Sequence, residues 1–321
     1  MAGPNAAVRV VPTDPRRGAR AIPVASRSIP LRNRRWRLAS IRSASIPAAC
    51  ATLSSARRRA ILDAGCGTGD ALSELSARYP EALVVGLDLA YAMLDAARRR
   101  AAATHASERS LFARLLGTRA SARRDPALVC GDACRLPLAS GTVDLVWSNL
   151  TLQWINDAAT AFGEFHRVLR ADGLLMFTTF GPDTLKELRA AFAGIDRATH
   201  VSRFIDMHDV GDMLVQTGFA DPVMDTDTIT LTYTDAKTMM RELKAIGAHN
   251  ATVGRPRGLT GRARWSRVLA ALEAFRRDGR LPATYEVVYG HAWKPEPRFA
   301  ADGRAVVRFQ RDVRARGETR K

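Results

Sequence analysis

The chain is predicted to fold as a doubly wound α/β domain with a mostly parallel sheet, and three observations support this. Five short apolar runs suit buried strands: residues 61–63, 83–88, 127–130, 143–147 and 174–179. Stretches of helical period alternate with them, the order that builds a parallel sheet with crossover helices. The first strand enters the first helix through Asp63-Ala-Gly-Cys-Gly-Thr-Gly-Asp70, a glycine turn of nucleotide-binding type.

In that turn Gly65, Gly67 and Gly69 stand at every second position. The backbone can turn sharply, approach a ligand and enter a helix without a Cβ in the way. The helix that follows, residues 70–78, sets Leu72, Leu75 and Tyr79 at helical spacing. A dinucleotide turn needs G-x-G-x-x-G, so that a pyrophosphate can sit on the helix N-terminus. Here the spacing is G-x-G-x-G, one residue tighter, and Asp63 precedes it. A carboxylate there repels a pyrophosphate and suits a cation with an amino group, such as S-adenosylmethionine. Alone, the pattern also fits a strand-to-helix turn that binds nothing, so the downstream residues decide.

At 321 residues the chain can bury a core large enough for one α/β domain with an appended subdomain. No apolar run approaches the roughly 20 residues of a membrane span. Cys50, Cys66, Cys130 and Cys134 lack zinc-ligand spacing and read as small buried hydrophobes in a reducing compartment, so no metal site is expected. The net charge of +17 looks like a nucleic-acid signal until it is located. Residues 1–60 hold 13 Arg against one acid, Asp14, and residues 298–321 hold eight Lys or Arg against three acids. These ends contribute +12 and +5, which is the whole excess, and residues 61–297 are neutral. Basic ends of this kind are solvated, and neither nucleic acid nor a membrane is expected as a partner. Residues 1–58 therefore read as a basic leader, poorly ordered over 1–55, with an organelle transit peptide as the alternative; residues 296–321 read as a basic tail. The domain proper spans 59–295.

Within it, the second strand ends in Asp88, 19 residues past Gly69. A carboxylate at that place accepts both ribose hydroxyls of a nucleoside, or caps the next helix, residues 89–100, which carries Met93, Leu94 and Ala97 inward. Residues 101–126 are weakly patterned, with a short helix over 111–116 in an insertion at the rim. After the third strand, Asp132 is placed either to hold an adenine amino group or to form an Asx-turn. Ser148-Asn149-Leu-Thr-Leu-Gln-Trp154 follows the fourth strand, where a substrate-facing loop belongs. Asn149 is not followed by Pro-Pro-aromatic, so a clamp for amine N-methylation is missing. A helix over 156–169 turns Phe162, Phe165, Val168 and Leu169 inward and closes at Ala171-Asp172-Gly173. Acids at the ends of the first three strands, with the glycine turn, make the pattern of class I S-adenosylmethionine-dependent methyltransferases.

Further segments narrow this. Phe180-Gly-Pro-Asp-Thr-Leu-Lys-Glu-Leu-Arg189, Phe204-Ile-Asp-Met-His-Asp209, Gly218-Phe-Ala-Asp-Pro222, Leu243-Lys-Ala-Ile-Gly-Ala-His-Asn250 and Leu281-Pro-Ala-Thr-Tyr-Glu-Val-Val-Tyr289 join Asp144-Leu-Val-Trp-Ser-Asn149. Together they resemble the BioC family, the malonyl-acyl-carrier-protein O-methyltransferases of biotin synthesis, over roughly residues 61–293. The resemblance implies a Rossmann-like sheet of seven strands with substrate-side helices at about 182–280. It implies transfer of the methyl of S-adenosylmethionine to the free carboxylate of a malonyl thioester, on acyl carrier protein or coenzyme A, in the cytoplasm. Carried onto this sequence, the cofactor residues are Asp63, Gly65, Gly67, Gly69, Asp88, Asp132 and Asn149. Family members begin with helices bearing an aromatic and Tyr-Asp motif that closes over the cofactor; residues 1–60 lack it and hold one aromatic, Trp36. Two other readings follow from the same resemblance: a mitochondrial complex I assembly factor that hydroxylates an arginine, and a non-catalytic S-adenosylmethionine-binding assembly protein.

A malonyl carboxylate, with a pKa of about 4, is already ionised at neutral pH, so no general base is required. What the chemistry needs is alignment, with a cation or hydrogen-bond donor to hold the carboxylate. Arg203, Lys244 and His249 are the favoured orienting residues; Lys186, Arg189 and His200 are weaker, the first two reading as a solvated helix face. Five Arg and no acid lie in residues 255–267, a face onto which an acidic carrier would dock.

Overall fold

The computed structural model describes residues 59–108, 125–195, 198–245 and 261–297. The leader, the short helix expected at 111–116, Cys50, His249, Arg255 and Arg257 lie outside the described residues, as does the tail from 298.

Seven strands form one sheet in the order β3-β2-β1-β4-β5-β7-β6. They are β1 (Ala60–Ala64), β2 (Leu83–Asp88), β3 (Ala127–Cys130), β4 (Val143–Asn149), β5 (Leu169–Phe180), β6 (Ala220–Tyr233) and β7 (Leu281–Trp293). The first five run parallel, and β7 is antiparallel to both β5 and β6. From β1 the chain moves outward to β2 and β3, then crosses back to β4 on the other side of β1. The order thus reverses between β1 and β4, and ligands of open α/β sheets bind at such a switch point, beyond the carboxyl ends of the strands.

Helices cover both faces. On one, Leu62, Val146, Leu175 and Phe177 pack with Phe162 and Phe165 of α3 (Ala158–Val168) and with Val210 and Leu214 of α5 (Met207–Gln216). On the other, Ile61, Leu145, Trp147 and Leu174 meet Leu72 and Leu75 of α1 (Asp70–Arg78) and Leu94 of α2 (Tyr91–Glu108). A third cluster joins the ends of β6 and β7 to α4 (Lys186–Ala193), α6 (Ala236–Ala245) and α7 (Arg262–Glu273). The appended helices therefore share one sheet with the nucleotide-binding half, and β6 lies within their span.

The helix after β2 runs to Glu108, past the expected end at 100, because Ala101-Ala-Ala continues it with the strongest helix former. Leu94 and Ala97 face inward as expected, but Met93 is 44% exposed: the buried stripe is already filled by its neighbours. The helix over 156–169 does not close through Asp172-Gly173. It stops at Val168, and Leu169 N–H closes it on Phe165 O while Leu169 begins β5. Asp172 instead takes a left-handed φ of 59° inside β5, where Asp172 and Gly173 pair with Lys294 of the β7 end. Cys66 is buried as expected, but Cys130 is exposed and Cys134 half-buried, because β3 is an edge strand.

Phe162 has no exposed surface and packs edge-on or tilted against Phe165 and Phe177. Phe162→Ala is expected to lower unfolding free energy by about 3–5 kcal/mol, measured by denaturant titration.

Candidate functional site

The glycine turn sits at the switch point, and its backbone is tied to the end of β2. Gly65 N and Cys66 N both donate to Leu87 O, at 2.7 and 2.9 Å. Gly67 N donates to Asp88 Oδ2 at 2.8 Å, and Gly69 N to Cys66 O at 2.9 Å. All three glycines are left-handed, with φ of 82°, 54° and 78°. At Gly65 a Cβ would lie 2.2 Å from Thr151 Oγ1, so the residue is required both by its φ and by close packing.

This geometry disfavours a phosphate cradle. The N–H groups of Gly65, Cys66, Gly67 and Gly69 are engaged within the protein, and the first residue of α1 is an acid, Asp70, paired with Arg100 at 2.6 Å. Two further carboxylates adjoin the turn: Asp63 is buried beneath it at 2% exposure, and Asp88 flanks it. Burial, together with these two carboxylates, pushes the Cys66 thiol far above its ordinary range, so it stays protonated and is no nucleophile.

Asp88 does not cap the helix as expected but forms an Asx-turn just ahead of it. Its Oδ1 accepts Ala90 N–H at 2.8 Å ahead of α2, while Oδ2 holds Gly67. Each oxygen takes one bond of the roughly two it can accept, so both ribose hydroxyls of a nucleoside can still be held. Asp132 forms the Asx-turn, its Oδ1 accepting Cys134 N–H at 2.8 Å, and it stays exposed at the carboxyl end of β3. Asn149 ends β4 beside the turn, and its Oδ1 accepts the Thr178 hydroxyl at 2.5 Å. The same Thr178 Oγ1 accepts Leu150 N–H at 3.0 Å, and Leu150 turns the chain with a left-handed φ of 49°.

Beside the loop that follows Asn149 is a small pocket of about 50 Å³. The turn Leu152–Trp154, the start of α3, the end of β5 and residues 203–210 line it. Its walls are mostly apolar, among them Phe162, Phe180 and Phe204. Its polar lining among the described residues is Gln153, Thr179 and one charged residue, Arg203, which is exposed at the rim. Gln153 is itself held, donating to Leu150 O at 2.7 Å and accepting from Thr179 Oγ1 at 3.4 Å. Lys244 does not line this cavity; it is exposed at the end of α6. Lys186 forms an exposed ion pair with Asp183 at 2.8 Å, in keeping with a solvated face. Arg189 departs from it: the guanidinium turns inward and donates to Pro182 O and Thr184 O at 2.7 and 3.0 Å, because the loop after β5 leaves those carbonyls unpaired by sheet or helix. His200 stacks on Phe192 at 3.9 Å.

Residues 62–177 match the methyltransferase domain family. The chain is 60% identical over 252 residues to the malonyl-(acyl-carrier protein) O-methyltransferase of Laribacter hongkongensis, covering 78% of this chain and 81% of that one. It is 54% identical over 248 residues to the enzyme of the same name from Gallionella capsiferriformans, with 77% and 81% covered. The chain belongs to the malonyl-(acyl-carrier protein) O-methyltransferase family. Among solved structures, the YcgJ protein from Bacillus subtilis shares the fold, with a TM-score of 0.50 at 15% identity over 78% of this chain and 97% of that one.

For an O-methyltransferase of this family, the residue that sequence reading missed is Thr178. Its signal was present: Thr178 and Thr179 are both buried at the end of an otherwise apolar strand, on the edge where ligands bind. Thr151 and Gln153 were passed over in the same way, within a loop already recognised as substrate-facing. Thr178→Val removes the hydroxyl that fixes Asn149 and Leu150. Methyl-transfer rate is expected to fall about fivefold, the equivalent of one hydrogen bond of ~1 kcal/mol, and Thr178→Ser is expected to restore it.

Proposed function

We propose that this chain transfers the methyl group of S-adenosylmethionine to the free carboxylate of a malonyl group on acyl carrier protein, in biotin synthesis. A carboxylate oxygen forms the new bond to the methyl carbon, the carbon–sulfur bond breaks, and methyl ester and S-adenosylhomocysteine result. S-adenosylmethionine is the co-substrate, and when bound it supplies an electrophilic methyl on a cationic sulfur. The observation that carries its placement is the glycine turn, with four of its N–H groups satisfied internally and Asp63 and Asp88 beside it. That surface suits an adenosyl cation better than a phosphate.

In this reading Asp88 holds the ribose hydroxyls, Asp132 the adenine amino group, and Asp63 with the turn glycines the amino-acid end. Asn149, oriented by Thr178, separates the co-substrate from the cavity. Arg203 binds the malonyl carboxylate there, since it is the charged group of the lining. The apolar walls around it, Phe180 and Phe204 among them, leave Arg203 as the charge that a carboxylate entering the pocket meets. No proton has to move, so the residues act by alignment alone. The relatives named above are bacterial, which supports a cytoplasmic enzyme; nothing favours the arginine hydroxylase. Among the described residues no helix is long and apolar enough to cross a membrane.

The test is purified protein with labelled S-adenosylmethionine and malonyl-carrier protein. A base-labile methyl ester is expected; co-substrate binding without transfer would refute the enzymatic reading. Asp88→Ala removes both the ribose acceptor and the anchor of Gly67, and calorimetry is expected to show at least ~100-fold weaker S-adenosylmethionine binding. Arg203→Ala is expected to raise the KM for the malonyl acceptor while leaving that affinity unchanged. Because the acceptor is already ionised and Cys66 stays protonated, kcat is expected to be flat from about pH 6 to 8.5; a steep rise through neutrality would indicate a general base.

A further inference from the structure

The appended helices carry a row of cations that the reaction does not use. On α6, Ala236, Met239 and Leu243 are buried and fix the helix against the third core cluster. Lys237, Arg241 and Lys244, at spacings of four and three, form one exposed stripe on its outer side. At the start of α7, Arg262 and Arg267 are exposed as well. Among the described residues none of these five forms an ion pair.

Of the acids nearby, Glu242 falls about a quarter-turn off the stripe, and two others are engaged in bonds of their own. Asp235 caps α6, accepting Thr238 N–H and Oγ1 at 2.8 Å each, and Glu273 pairs with Arg276 at 2.5 Å. Arg241 makes only a neutral bond, to Thr238 Oγ1 at 3.2 Å. Three cations aligned on a helix repel one another by a few tenths of a kcal/mol per pair, so the stripe opposes helix stability. Its position is specific: the cluster beneath it, built from Met239, Leu243, Val268 and Leu272, also takes in Phe180 and Phe204, which line the acceptor cavity.

We infer that the α6 stripe is the docking surface for an acidic face of the protein that carries the malonyl group. The inference rests on the proposed reaction, because it presumes a substrate delivered on a protein. Positive charge on the enzyme calls for negative charge on the carrier, and such pairing acts mainly by raising the association rate. It reassigns Lys244 from the carboxylate to the partner.

The test is the full-length Lys237→Glu/Arg241→Glu variant, assayed with malonyl-carrier protein and with malonyl-pantetheine, a thioester without the protein. For the variant, kcat/KM with the carrier substrate is expected to fall at least ~10-fold, with the small thioester unchanged. Raising salt from 0.05 to 0.5 M, which shortens the screening length severalfold, is expected to depress the carrier reaction of the native enzyme but not of the variant. Equal loss on both substrates, or carrier kinetics within twofold of native, overturns the docking assignment. So does native protein retained by duplex DNA and released by the same variant. If the native enzyme methylates neither thioester, the proposed reaction itself has failed, which is a separate outcome.

Discussion

Two consecutive residues at the end of β2 hold the co-substrate side of this molecule together. Leu87 offers its carbonyl to Gly65 and Cys66, and Asp88 offers one carboxylate oxygen to Gly67 and the other to Ala90. A single strand end thus fixes the path of the glycine turn, the entry into α1 and the start of α2. The left-handed conformations follow from that path, and so does the need for glycine. The electrostatic character of the site follows too, since every N–H drawn onto Leu87 or Asp88 is one fewer for an anion.

The acceptor side depends on a different constraint, the meeting of β4 and β5. Thr178 links Asn149 to Leu150 across the strand pair, and Leu150 adopts a conformation that a β-carbon disfavours. Strain of this kind, on the order of 1 kcal/mol, persists where the surroundings over-determine it. Here it sends the chain into the turn Leu152–Trp154, bringing Gln153 to the cavity and Thr151 onto Gly65. The glycine turn proposed for the co-substrate and the loop proposed to face the acceptor are therefore in direct contact.

The nucleotide half was legible in the sequence because its determinants are local. Periodicity gave β2, β3 and α1 their bounds, and the spacing Gly65, Gly67, Gly69 after Asp63 named the ligand class. The misreadings have physical causes of the opposite kind. Asp172-Gly173 has the composition of a helix cap, yet pairing with Lys294, more than a hundred residues away, draws it into β5. Arg189 has the spacing of a solvated face, yet carbonyls of the preceding loop capture it. Cys130 has the look of a core residue, and only the strand order shows that it lies on an edge.

Among the basic residues after β5, sequence alone could not rank Arg203 above Lys244, since both are cations near turns in the region that resemblance assigns to the substrate. The fold separates them by their surroundings. Arg203, itself exposed, stands at the rim of a mostly apolar pocket beside Phe180 and Phe204, where a bound acceptor's carboxylate can reach it. Lys244 stands in water at the end of a helix, beside other cations on the same stripe. There each charge is screened individually, and what remains is a collective field that acts over a Debye length. A field of that range selects and steers a large partner but cannot align a methyl acceptor. A cation thus serves chemistry in one place and encounter in the other, and the difference is set by what stands beside it: a pocket for Arg203, a row of other cations for Lys244.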